Sequence, residues 1–327
     1  MQALVTGSNG FIGASLVKDL ICNGIQVRCL IRKTSNLKLL QDMPVEYVYG
    51  DLCLQETLID AVSGMDMVFH LGGVTRGKNE QDYYNNNTLA TLNLLNACRQ
   101  AGTPEQKFIF ISSQAAGGPS ANIRPVNEDD LAQPISAYGK SKLMAEHHVL
   151  EFSRERPAVI IRPPSVYGPG DKDFFILFKN IDKRFAPMIG NGEQRISIVY
   201  ISDLIEGIQL AAKSPAAQGE IFYICDDQDV SFSQVIAAIA HAIEKKPLVL
   251  HLPLFLVEWI AVFLHRYSQI TRKSTILNKD KVNEMRQSAW VCTNIKAKKL
   301  LGFRPKVDLE EGMRLTAAWY KEQKWLK

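Results

Sequence analysis

The chain has 327 residues, 46% apolar and 22% charged, and 38 Lys and Arg against 34 Asp and Glu leave a net charge of +4. That length is ample for one large domain or a larger and a smaller one with a real core, and no repeat or low-complexity tract is present. The slight basic excess is no footprint for nucleic acid. Cys22, Cys29, Cys53, Cys98, Cys225 and Cys292 form no CxxC pair and lack ligand spacing to a His, so neither a zinc site nor a disulfide framework is predicted.

The segment 2–6 (QALVT) is a short apolar run with no charged leader before it, the pattern expected of a cytoplasmic protein. A Gly-rich turn follows, and 11–23 has helical periodicity. Further strands are predicted at 25–31, 45–49 and 67–71, a long helix at 83–100 ending before Gly102, a strand at 107–111, a helix at 136–156 and a strand at 158–162. Strands alternating with helices predict a doubly wound parallel sheet of the α/β class, covered on both faces. The adjacent His147 and His148 on the 136–156 helix lack the one-face spacing of a chelating pair, and no metal is predicted.

After Arg162 the rhythm breaks. PPSVYGPGD, 163–171, reads as a loop. A helix at 174–181, a strand at 195–199, a helix from near Ser202 and a strand at 221–224 follow, then two apolar helical segments and an amphipathic helix at 309–325. The expected division is a dinucleotide-binding domain over 1–168 and a smaller, mostly helical substrate lobe over 169–327, with elements around 195–226 returning to the first. The apolar stretch 247–267 is split by Pro253 and interrupted by Glu258, too short unbroken to span a bilayer. The basic residues Arg266, Arg272, Lys273, Lys279 and Lys281 follow its 254–264 helix. Such a helix is compatible with resting on an anionic membrane surface, but a buried helix with a solvated loop after it is the favoured reading.

TGSNGFIGASL sets Gly7, Gly10 and Gly13 between the first strand and the first helix. Glycines there let a pyrophosphate approach the main chain, and the helix N-terminus offers free N–H groups and a positive dipole end. The spacing TGxxGxxG resembles the short-chain dehydrogenase/reductase superfamily, and in its details the extended branch of epimerases, dehydratases and reductases. Similar blocks continue along most of the chain: Gly50-Asp51-Leu52, Phe69-His70-Leu71-Gly72, Tyr84-Asn85-Asn86-Asn87, Arg162 to Gly170, Tyr200 to Leu204, and Leu300-Leu301-Gly302-Phe303 with Pro305. The resemblance implies a Rossmann-type fold and a cofactor site built from Gly7, Asn9, Gly10, Phe11, Ile12, Gly13, Asp51, Leu52, Leu71, Gly72 and Asn87, with Asp51 at the adenine. It also suggests a homodimer.

Where an acid closing the second strand would select NAD, this chain has Arg32, Lys33 and Ser35. A guanidinium suits a 2′-phosphate, so Arg32 predicts NADP as the preferred cofactor, with NAD as the alternative.

SAYGKSKLMAE places Tyr138 and Lys142 four residues apart, on one face of a helix. The resemblance turns that face toward the nicotinamide. An ammonium close by, and the positive ring of the oxidised cofactor, would lower the phenol from its ordinary value of about 10 and fit it for proton transfer. Lys142 would also hold the nicotinamide ribose. Aligning the strand 107–111 with the family puts Ser113 at the third catalytic position, with Ser112 as the alternative by one register.

The expected function is an NAD(P)-dependent oxidoreductase moving hydride between nicotinamide and a secondary alcohol or ketone, on a small-molecule substrate. Gly117-Gly118 and Ser165 stand where sugar-nucleotide enzymes of this branch usually carry an aromatic residue and an Asn; Arg195 is a candidate to bind a diphosphate, but its spacing to Asp203 is one residue off their pattern. RPPSVYGPGD and the 254–264 helix look more like the dihydroflavonol-reductase and 3β-hydroxysteroid-dehydrogenase side, which favours a lipophilic substrate. The alternatives are a UDP-sugar 4-epimerase that retains NAD, and a dinucleotide-binding factor without chemistry.

Overall fold

Alternate residues of the central strands belong to two different cores, which is what a sheet buried on both faces requires. Ala3, Val5, Phe69, Ile109 and Ile111 pack into one; Leu4, Val68, Phe108, Phe110 and Ile160 pack into the other. The computed structural model describes residues 1–255, 259 and 283–326. In chain order its strands are β1 (Gln2–Thr6), β2 (Gln26–Ile31), β3 (Glu46–Tyr49), β4 (Met67–His70), β5 (Lys107–Ile111), β6 (Ala158–Arg162), β7 (Ser165–Tyr167), β8 (Phe185–Ile189), β9 (Arg195–Ile196), β10 (Ile198–Tyr200), β11 (Ile221–Tyr223), β12 (Val230–Ser231), β13 (Leu248–Leu252) and β14 (Ala289–Trp290).

Seven of them form a sheet in the order β11-β6-β5-β4-β1-β2-β3, with every neighbouring pair parallel. The order reverses between β1 and β4, and a ligand crevice opens at the C-terminal ends of such a pair. The helices Phe11–Cys22 and Ile201–Lys213 cover one face; Ala90–Ala101 and Ala137–Phe152 cover the other. Beyond Arg162, small sheets accompany the helices: β7 with β10, β12-β9-β14, and β13 with β8.

Several local expectations are corrected. The Pro- and Gly-rich stretch expected to be a loop contains β7, parallel to β10; its prolines and glycines only bracket Val166 and Tyr167. Tyr167 is fully buried against Tyr200 at 5.5 Å between ring centroids. The strand expected over 195–199 is divided at Ser197, whose hydroxyl bonds the backbone of Cys292, so β9 and β10 enter separate sheets. Residues 248–252, within the apolar stretch 247–267, form β13, which pairs with β8 in parallel. The helix expected at 83–100 is interrupted by a π turn over Tyr84–Leu89 between Glu80–Tyr83 and Ala90–Ala101. The apolar helix expected over 254–264 lies, apart from Leu254, Phe255 and Trp259, outside the described residues, as do Arg266, Arg272, Lys273, Lys279 and Lys281. No helix among the described residues is long and apolar enough to cross a membrane.

His70, fully buried at the end of β4, ties the first strand to the helix that carries Thr91. Thr91 donates its hydroxyl proton to the Asn87 carbonyl at 2.6 Å, so its oxygen accepts from Nε2–H of His70 at 3.0 Å. Nδ1 then accepts from the Thr6 hydroxyl at 2.7 Å, and Thr6 in turn accepts the Gly72 N–H at 3.0 Å. Burial, and secondarily the Lys142 charge, hold the imidazole down to about 3. The folded value lies below the unfolded one, near 6.5. The unfolded chain therefore takes the proton first, and stability is full above about pH 6.5 and lost as pH falls toward 3. Denaturant titrations between pH 6.5 and 4 should show a loss of about 1.4 kcal/mol per pH unit from this group. That component should disappear from the slope in a folded His70→Gln variant.

Candidate active site

The turn after β1 is built on missing side chains. Gly7 sits at φ 67°, and a Cβ there would lie 2.8 Å from the Gly72 nitrogen; one on Gly13 would lie 2.1 Å from the Gly7 carbonyl oxygen. The main chains of the turn, the first helix and the end of β4 therefore meet directly. The helix Phe11–Cys22 begins at Gly10 with no side chain capping it, so its first N–H groups point out of the turn unclaimed by a cap. This arrangement fits a dinucleotide pyrophosphate.

Beside the turn is a cleft lined by Thr6, Gly7, Asn9, Arg32, Ser35, Asp51, Leu52, Cys53, Gly72, Gly73 and Asn86, among others. Arg32 and Ser35 close the end of β2: the Ser35 hydroxyl accepts the Arg32 N–H at 3.0 Å, and among the described residues no carboxylate pairs with the guanidinium. Asp51 lies opposite, one carboxylate oxygen accepting the Cys53 N–H at 2.9 Å. Asn9 reaches across to the Asn36 carbonyl at 3.3 Å. Phe11, Ile12 and Leu71 stay outside this lining: Phe11 faces Gly170 of the loop after β7, Ile12 packs on the core, and Leu71 donates its N–H to the Thr6 carbonyl. Asn87 is committed elsewhere. Its amide oxygen accepts the Val74 N–H at 2.8 Å, and its nitrogen donates to the Val74 carbonyl at 3.1 Å and the Ser141 hydroxyl at 2.9 Å. Its side chain is thus a brace between the β4 loop and the tyrosine helix, with both amide donors spent.

The tyrosine helix, Ala137–Phe152, is capped by Ser136, whose hydroxyl accepts the Gly139 N–H at 3.2 Å. A Cβ on Gly139 would lie 2.3 Å from the Ala115 carbonyl oxygen, so this glycine allows the helix to rest on the turn after β5. Ser113 opens that turn, with its hydroxyl close enough to the Tyr138 phenol to favour the phenolate. Ser112 points to the interior, donating to the Glu146 carboxylate. Of the two candidate serines, Ser113 is the one beside the tyrosine.

The phenol is pushed up to about 12: desolvation leads, the Ser113 hydroxyl works the other way, and Glu284 and Tyr83 add to the rise. That corrects the expected lowering. The Lys142 ammonium donates to the Ile111 carbonyl at 2.7 Å and lies 4.1 Å from the Phe110 ring centroid, and burial sets the direction for the tyrosine. Burial also brings Lys142 down to about 7, against the opposing charge of Glu146.

Sequence reasoning missed the buried ion pair behind this group. Glu146 accepts two N–H bonds from Arg162, at 2.9 and 2.6 Å, and Arg162 gives a third to the Tyr223 hydroxyl at 3.0 Å. The spacing Tyr138, Lys142, Glu146 on one helix face was the available signal. Gly117 is part of the same packing, since a Cβ there would lie 2.0 Å from the Tyr223 hydroxyl oxygen. Arg195, considered for a diphosphate, is bound to Asp229 through its Nε and through Nη2 to the Asp229 carbonyl at 2.8 Å.

The sequence profile of the NAD dependent epimerase/dehydratase family matches residues 3–225. A sterol-4-alpha-carboxylate 3-dehydrogenase, decarboxylating, of Mus musculus is 26% identical over 96% of this chain and 90% of its own. A ceramide reductase of Caulobacter vibrioides is 25% identical over 98% of this chain and 95% of its own. The crystal structure of UDP-glucuronic acid 4-epimerase from Bacillus cereus in complex with NAD superposes with a TM-score of 0.80 at 25% identity, covering 100% of this chain and 99% of the other.

The Gly139 contact gives a direct check. Gly139→Ala should cost about 1–3 kcal/mol by overpacking against the Ala115 carbonyl, read as a lower denaturant midpoint at unchanged m-value.

Proposed function

Because the chain belongs to the NAD-dependent epimerase/dehydratase family and is an NAD-dependent oxidoreductase of that family, we propose that it interconverts a secondary alcohol and a ketone, through Tyr138, Ser113 and Lys142, with NADP(H) preferred. The observation that carries this reading is the Ser113 hydroxyl placed beside the Tyr138 phenol, with Lys142 one helical turn along the same face. The bound nicotinamide would supply or accept the hydride. Ser113 would hold the substrate oxygen next to the phenol. Tyr138 would give that oxygen a proton in the reducing direction and take one in the oxidising direction. A phenol raised to about 12 keeps its proton at neutral pH and suits the donor role. For the acceptor role it needs positive charge nearby, and Lys142 is the side chain placed to provide it.

The preference for NADP(H) rests on Arg32. Its guanidinium lines the adenosine cleft with Ser35 and has no carboxylate partner among the described residues. Ordinary charge-assisted bonds to a 2′-phosphate are each worth about 1.5–3 kcal/mol. Arg32→Ala should therefore raise the KM for NADPH by about ten- to a hundredfold and leave that for NADH nearly unchanged, as measured by initial rates with each cofactor.

A lipophilic substrate is favoured over a sugar nucleotide. With Arg195 spent on Asp229, the guanidinium considered for a diphosphate is already neutralised, and Tyr223 takes the space a side chain at Gly117 would need. The sterol dehydrogenase and ceramide reductase among the relatives point the same way. The test is a panel of steroid, long-chain and aromatic ketones and alcohols beside UDP-sugars, followed by nicotinamide absorbance. Turnover of the apolar ketones with NADPH supports the reading. NAD that stays with the purified protein, together with epimerisation of a UDP-sugar and no net use of NADPH, would replace it with a 4-epimerase. Tyr138→Phe should abolish turnover and leave dinucleotide binding, followed by fluorescence titration, nearly intact. An unaffected rate would remove the tyrosine from the mechanism and leave a dinucleotide-binding factor as the simpler account.

A further inference from the structure

Behind Tyr138, Ser113 and Lys142 lies a layer of buried charge with no part yet in the chemistry. Glu146 is fully buried, one turn beyond Lys142 on the tyrosine helix. Arg162, itself only 3% exposed, holds both carboxylate oxygens from β6, and the Ser112 hydroxyl holds one of them from the end of β5. Tyr223 on β11 takes the remaining edge of the guanidinium, and its own N–H is fixed by the Glu128 carboxylate at 2.8 Å. Three strands of the sheet thus set the position of one carboxylate.

Stability alone does not account for this investment. A buried ion pair replaced by well-packed apolar side chains is often neutral or more stable. The position of the pair is more telling. Lys142 is only 5% exposed, and among the described residues its ammonium has a single hydrogen bond, to the Ile111 carbonyl, besides the face of Phe110. An ammonium in so dry a setting tends to give up its proton, and a neutral amine does nothing to stabilise a phenolate. Around it are Tyr138 and Glu146 on its own helix, Tyr83 beside Tyr138, the neutral His70 on β4, Arg162 on β6 and Tyr223 on β11, while Glu284 acts on Tyr138. The carboxylate that supports the ammonium is Glu146.

We propose that Glu146 is a positioning residue for the reaction: held from outside the site by Arg162 and Ser112, its carboxylate is the counter-charge that keeps buried Lys142 positively charged. The inference rests on the alcohol–ketone reading above. It assigns the Glu146–Arg162 pair a task besides packing, which is to set the pH range over which Lys142 can support Tyr138.

The test compares wild type with the double variant Glu146→Gln/Arg162→Met, which removes both charges together and leaves no orphaned guanidinium. The pH profile of kcat/KM for alcohol oxidation is measured with the panel substrate that wild type turns over, alongside thermal unfolding and dinucleotide binding. The double variant should fold and bind dinucleotide, but the acid limb of its profile should move up by about one pH unit or more, with at least a tenfold loss of rate at neutral pH. If the double variant does not fold, Glu146→Asp, which keeps the charge but retracts it by a methylene, should show a smaller displacement in the same direction. A folded variant whose profile superposes on wild type overturns the proposal and leaves the pair a purely structural one. A wild type that turns over no alcohol or ketone removes the functional reading first, and the proposal with it.

Discussion

The contact between Gly139 and the Ala115 carbonyl sets the distance from the tyrosine helix to the end of β5, and the site depends on that distance. With any side chain at 139 the helix would have to lift, since even a Cβ would come within 2.3 Å of the carbonyl oxygen. With none, successive turns of the helix engage the strand end in register. Tyr138 meets the Ser113 hydroxyl, Lys142 the Ile111 carbonyl, and Glu146 the Ser112 hydroxyl. Ser136 fixes the start of the helix by capping it at Gly139. The rotation of the helix is thereby determined several times over, so the proposed catalytic tyrosine is carried by a rigid scaffold rather than by a loop.

The electrostatics of this assembly run against its chemistry until a charge is supplied. Burial raises the phenol of Tyr138 and lowers the ammonium of Lys142, so desolvation favours the neutral form of both. Reactive tyrosine–lysine chemistry in so dry a place needs positive charge that can survive there. Among the described residues, the Glu146 carboxylate is buried behind Lys142, while Arg32 stands without an acidic partner in the cleft beside the glycine turn. By contrast Arg195, on the short strand β9, is already neutralised by Asp229.

Much of this was legible in the sequence where the signal is local. Gly7, Gly10 and Gly13 between a strand and a helix mark the turn, because only close main-chain approach demands glycine at that spacing, and Tyr138 and Lys142 share a helix face by periodicity alone. Signals that depend on distant partners were not legible. Arg162 lies 16 residues from Glu146 and Tyr223 lies 61 beyond Arg162, so the helix spacing marks Glu146 but nothing in the local pattern announces its partners. The direction of the Tyr138 shift was misjudged because spacing reports which charges are near and says nothing of how much water is lost. The strand β7 was misread for a simpler reason. A three-residue strand bracketed by Pro and Gly gives no period long enough to separate strand from loop. Asn87 sits in a family-like block, yet its amide is consumed by Val74 and Ser141, a commitment only the folded chain reveals.

The hydrogen bonds through His70 have a fixed sense of direction. From the Gly72 N–H through Thr6, the imidazole and Thr91 to the Asn87 carbonyl, each hydroxyl receives from one side and gives to the other, and the ring receives at Nδ1 and gives from Nε2. Such a relay has no freedom to reverse one member, because the proton on each atom is dictated by its neighbour. Replacing Thr6, His70 or Thr91 singly would strand a partner in a dry interior. The three side chains therefore act as one unit, a clamp between the glycine turn and the Asn87 brace.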